Sequence, residues 1–107
     1  MPIFIAKVML QEVKNEEIYR ELDKAMLAED GYPYITDAHE KMFALLPDEY
    51  EFELDITAAE LLNIVKLMCA QIEKKHSLKK TPIVIVEVND LQFSNLQELT
   101  DDDFEEN

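Results

Sequence analysis

Apolar residues recur along this chain at three spacings, and each spacing predicts an element. The first segment, Ile3-Phe4-Ile5-Ala6-Lys7-Val8-Met9-Leu10, is short, β-branched and nearly continuous in apolarity. It reads as a central strand, with Phe4, Ala6, Val8 and Leu10 on an uncharged face and Lys7 turning the other face partly to water. Asn15 then offers a helix N-cap, and Glu16 and Glu17 suit the positive end of the helix dipole. Ile18, Tyr19, Leu22, Ala25 and Met26 share one side at helical spacing, opposite Glu17, Arg20, Glu21 and Lys24. Gly31 stands where a left-handed residue would end that helix.

The period changes to two between Tyr32 and Asp55. Residues 32–36 and 42–46 are β-prone, and Leu46-Pro47-Asp48-Glu49 signals a turn. Tyr50, Phe52 and Leu54 then alternate with Glu49, Glu51, Glu53 and Asp55, the pattern of a strand with one face in the core and one in water. Thr57-Ala58-Ala59-Glu60 is a capping box, with Ile56 and Leu61 placed as its hydrophobic staple. The helix it opens should bury Leu61, Val65, Met68 and Ile72 and run to about His76, where Lys74 and Lys75 complement the negative end. Pro82-Ile83-Val84-Ile85-Val86-Glu87-Val88 closes the pattern as a second continuous strand. Asn89-Asp90 reads as a turn, and Leu91, Phe93 and Leu96 as a short segment packed on the sheet.

The order β-α-β-β-α-β is the split βαβ pattern of a ferredoxin-like α+β sandwich. It predicts an antiparallel sheet with both helices on one face and the first and last strands at its centre. Residues 1–98 should form this single domain, followed by an acidic tail without order over 99–107. The uncovered sheet face needs protection of its own, so a strand-swapped version or a homodimer through that face or through an edge strand is the alternative architecture.

Charge changes the picture more than composition does. The 107 residues hold 10 basic against 24 acidic groups, a net charge of -14. Lys74 to Lys80 is the only basic stretch, and every charged residue after it is acidic. A field of this sign repels phosphate backbones at low salt. RNA contact would therefore concentrate on Lys74, Lys75, Lys79 and Lys80, joined by Lys24 on the first helix. The Glu49, Glu51, Glu53, Asp55 row points instead to a basic protein partner. One cysteine, Cys69, sits on the apolar stripe of the second helix and excludes an internal disulfide. No run approaches the roughly 20 apolar residues of a membrane span. The start Met1-Pro2-Ile3-Phe4-Ile5 lacks the basic region of a signal peptide. These features lead us to expect a cytoplasmic protein with no membrane partner, no metal and no cofactor. The two histidines, His39 and His76, are the candidates for acid–base work, because imidazole titrates near neutrality.

Three strings resemble the GhoS family of small bacterial antitoxins. They are Ile35-Thr36-Asp37 entering a long hairpin; Leu54-Asp55-Ile56-Thr57-Ala58-Ala59-Glu60-Leu61 running into Ile64-Val65-Lys66-Leu67-Met68-Cys69; and Val86-Glu87-Val88-Asn89-Asp90. The resemblance spans roughly residues 3–95 in order of elements. It implies a ferredoxin-like fold and endoribonuclease action on a toxin mRNA, without a metal. The first-helix position associated with RNA handling falls on Asp23 or Lys24. His39 with Lys41, or His76 with the lysine patch, would supply the base and cation of metal-free cleavage. The charge balance points the other way, toward a non-catalytic acidic module that binds a basic protein or mimics a nucleic acid.

Overall fold

Near-continuous apolarity makes β1 (Ile3–Val8) the strand on which the molecule is built. In a computed structural model, which describes residues 1–104, β1 lies between β5 (Glu49–Glu53) and β6 (Ile83–Val88), antiparallel to both. β2 (Gly31–Tyr32) pairs with β5 on the far side, giving the order β2-β5-β1-β6. A second antiparallel sheet, β3-β4-β7, joins β3 (Tyr34–Thr36), β4 (Met42–Ala44) and β7 (Glu98–Leu99). The described residues therefore form a mixed α+β structure with two α-helices and two antiparallel sheets.

Both helices start where their caps dictate. In α1 (Glu16–Ala28) the Asn15 side chain accepts from the Glu17 N–H at 3.0 Å. In α2 (Ala58–His76) both halves of the Thr57–Glu60 capping box form at 3.1 Å. α2 ends at His76 as expected, because Ser77 turns left-handed at φ 55° and the Leu78 N–H closes on the Glu73 carbonyl at 2.9 Å.

The helices pack on one face of the four-stranded sheet. Ile18, Leu22 and Met26 from α1 and Leu61, Val65, Cys69 and Ile72 from α2 meet Phe4, Ala6, Val8, Tyr50 and Phe52 in one core. Burying each of the larger side chains contributes about 1.5–3 kcal/mol.

Four expectations are corrected. β6 is an edge strand, and β5 takes the central place beside β1, although β6 does lie next to β1. The reason is that β6 reaches its apolarity from two half-covered faces: Ile83 and Ile85 lean on the core while Val84 and Val86 stay exposed. The left-handed residue after α1 is Asp30, at φ 65°, rather than Gly31. Gly31 is required for a different reason: a Cβ there would stand 2.3 Å from the tip of the Phe52 ring. The main-sheet part of the long hairpin is only two residues long. Pro33 follows with no N–H to donate, and the chain leaves to build the small sheet. The segment expected to lack order begins instead with β7, paired to β4 as Met42–Leu99, and a 3₁₀ turn at Asp101–Phe104. Residues 105–107 lie outside the described residues.

Candidate functional site

The face of the main sheet away from the helices carries three cross-strand rows. Pairing sets Glu49 beside Lys7 and Lys7 beside Val84; Glu51 beside Ile5 and Ile5 beside Val86; Glu53 beside Ile3 and Ile3 beside Val88. Because side chains alternate along each strand, the result is a column of carboxylates on β5 parallel to a column of valines on β6. Ile5 between them is only 7% exposed, whereas Val84 and Val86 are 54% and 45% exposed. Leu91 follows β6 into the groove formed with Ile5, Lys7, Glu49 and Val86, which has a volume of about 520 Å³. A neighbouring groove of about 340 Å³ continues the apolar surface through exposed Met9 and Leu46, with Lys7 and Glu49 lining both grooves.

The carboxylates are not equivalent. Glu49 is bridged by Lys7, with Nζ 3.6 Å from Oε2. Glu51 and Glu53 have no ion-pair partner among the described residues. Glu51 is half-buried, and desolvation, with the neighbouring Glu53 charge behind it, pushes its carboxyl above the usual range. Asp55 does not join the row. The Leu54 N–H still donates to the Pro2 carbonyl at 3.2 Å, in register with β1, but β5 ends at Glu53 and Asp55 falls in the bend before the capping box.

The lysines expected to meet RNA are divided. Lys75 Nζ lies 2.6 Å from Glu21 Oε1, and Lys79 Nζ lies 3.1 Å from Glu12 Oε1. His76 Nε2 contacts the second oxygen of Glu21 at 2.5 Å. The Lys75 hydrogen bond first, and His76 second, hold the Glu21 carboxyl below its ordinary value. Lys24 is separate from this group. It lines a groove between α1 and the small sheet, with Asp23, Leu27, Tyr34, Leu99 and Asp103.

His39 occupies the turn between β3 and β4. The Asp37 carboxylate accepts from the backbone N–H groups of His39 and Lys41, both at 2.9 Å, so this acid organises the turn itself. Cys69 is buried in the core, and burial pushes its thiol up to about 11. The Tyr50 hydroxyl donates to Asp23 at 2.5 Å, and burial, more than that bond, raises its pKa. Among the described residues, no three His, Cys, Asp or Glu side chains gather to hold a metal ion, and no helix is long and apolar enough to cross a membrane.

Sequence reasoning found the acidic half of the open face and missed its apolar half. The alternation of Val84, Val86 and Val88 carried the signal, but placing β6 at the sheet centre hid the exposure of these residues. No protein-family model and no curated protein matches the chain.

Proposed function

We propose that the protein is a non-catalytic interaction module that docks a basic protein segment on the open face of its main sheet. The observation that carries this reading is the column of carboxylates beside an exposed valine column, with Glu51 half-buried and without an ion pair among the described residues. An apolar stripe rimmed by one sign of charge marks an interaction surface. A partner strand alternating cationic and apolar side chains would relieve the Glu51–Glu53 repulsion and cover Val84 and Val86. The framework fits a ferredoxin-like sandwich with a small second sheet attached, since β1, α1, β2, β5, α2 and β6 follow its chain order.

The RNA-directed reading that follows from the GhoS resemblance rests on the lysine end of α2. Phosphate there would have to displace Glu21 from Lys75 and Glu12 from Lys79, against the repulsion of the whole chain's charge.

Fluorescence anisotropy with a labelled peptide of alternating lysine and valine tests the proposal, with a labelled single-stranded RNA in parallel. Peptide binding that weakens with salt, and by roughly tenfold or more in Glu51→Lys, is the expected result. Peptide binding indifferent to Glu51→Lys would overturn it. So would RNA binding that survives Glu51→Lys and is lost in Lys74→Glu/Lys80→Glu.

A further inference from the structure

We infer that the open edge of β6 is the seam of a homodimer, in which two copies of this strand pair antiparallel about a two-fold axis. The inference stands apart from the docking of a basic segment, because it uses the backbone edge of the sheet and not its open face.

Among the described residues the main sheet ends at β6, which pairs with β1 alone. In an antiparallel pair, successive residues alternate between backbone groups aimed at the partner and backbone groups aimed away from it. The Met9 N–H donates to the Pro82 carbonyl at 3.1 Å, in register with the β1–β6 ladder. Pro82 therefore faces β1, and by alternation so do Val84, Val86 and Val88. The N–H and C=O groups of Ile83, Ile85 and Glu87 point off the free edge. Natural edge strands are usually blunted by charges, bulges or internal prolines. β6 is six residues long and holds one charge, Glu87.

A second copy fits this edge better than an unrelated strand because the flanks of β6 complement themselves. Lys79 and Lys80 precede the strand; Glu87 and Asp90 lie at its end and just beyond. A two-fold axis brings the start of each strand beside the end of the other. Only registers that match outward-pointing residues, and keep the helices of both copies on one side, continue the sheet. The register with Ile85 opposite its own copy meets both conditions. It sets Val84 opposite Val86 and Lys80 opposite Asp90 of the second copy, and Ile83, Ile85 and Glu87 all find ladder partners. Sliding one way calls on the Thr81 N–H, which already donates to Glu73 at 2.9 Å. Sliding the other way separates Lys80 from Asp90. Lys80 has no ion pair among the described residues, so it is available for this contact.

Net charge does not forbid the dimer. The β5 carboxylate columns of the two copies would be five strand spacings apart, about 24 Å at roughly 4.8 Å each. That distance is well beyond the Debye length of about 8 Å at physiological salt.

Light scattering coupled to size exclusion tests the full chain. The expected mass is twice the 12.5 kDa of one chain. Ile85→Pro removes an N–H that β1 does not use, and should give a folded monomer with an unchanged circular dichroism spectrum. Lys80→Glu should weaken dimerisation by about tenfold, and Lys80→Glu/Asp90→Lys should restore it; this pair decides the matter if Ile85→Pro fails to fold. A wild-type chain that stays monomeric at high concentration overturns the inference. So does a dimer unaffected by Lys80→Glu, or one broken by Val84→Lys on the open face while Ile85→Pro leaves it intact. Loss of peptide binding with the dimer preserved would count against the docking proposal alone.

Discussion

The two faces of the four-stranded sheet come from the same strands and differ in what touches them. On one, Phe4, Ala6, Val8, Tyr50 and Phe52 are sealed under two helices. On the other, the alternate residues of β1, β5 and β6 place carboxylates, isoleucines and exposed valines side by side. The helix face is what folding requires. The open face works against folding in one respect, since it holds Glu51 half-buried next to Glu53 with no ion pair to Glu51 among the described residues. A surface that costs stability without any packing return is where a function is best sought.

The largest expected effect separates the faces directly. Phe52→Ala should destabilise the fold by about 3–5 kcal/mol, as for aromatic truncation in a packed core. Val86→Ala should stay within about 0.5 kcal/mol. Urea denaturation of the two variants measures this, and equal losses would erase the contrast. A smaller effect concerns Glu51. Its folded pKa lies above its unfolded value, so this group's favourable contribution is complete below the unfolded pKa and is lost as pH rises through the folded one. At neutral pH the ionised group is therefore a burden. Glu51→Gln should raise stability there by about 0.3–0.5 kcal/mol, a figure discounted for its partial exposure, and the gain should vanish in acid. A melting temperature lowered at neutral pH would contradict this.

The smallest effect lies at the rim, where Glu21 links the helices through Lys75 and His76. Its lowered pKa means the reverse sign. The contribution is present above the unfolded pKa and disappears as pH falls through the folded one. Glu21→Gln should flatten the acid limb of the melting temperature against pH and leave the alkaline limb unchanged. An acid limb as steep as in the wild type would show that the cluster does not couple the helices.

What was legible in the sequence follows from how local each signal is. Asn15, Thr57 and Glu60 mark helix starts through bonds spanning two or three residues, and these appear where expected. The Tyr50–Phe52 alternation marked a strand because one face is fully buried. Strand order is a long-range property. Ile83–Val88 looks as apolar as Ile3–Val8, yet one strand is at the edge and the other at the centre. The small sheet depended on β7, two residues paired across more than half the chain with β4, which no local pattern announces. At the candidate site the carboxylates were visible as a period of two. Lys75 and Lys79 looked free because Glu21 and Glu12, their partners, are remote in sequence.

The contact between Gly31 and the Phe52 ring also constrains how the chain can vary. A methyl group at position 31 would collide with the aromatic ring opposite, so neither site can enlarge alone. Drift at the two positions is thereby tied together: a bulkier residue at 31 becomes tolerable only once the ring at 52 has shrunk, and since that shrinkage sacrifices core packing of its own, a lineage taking either step alone passes through a destabilised ancestor.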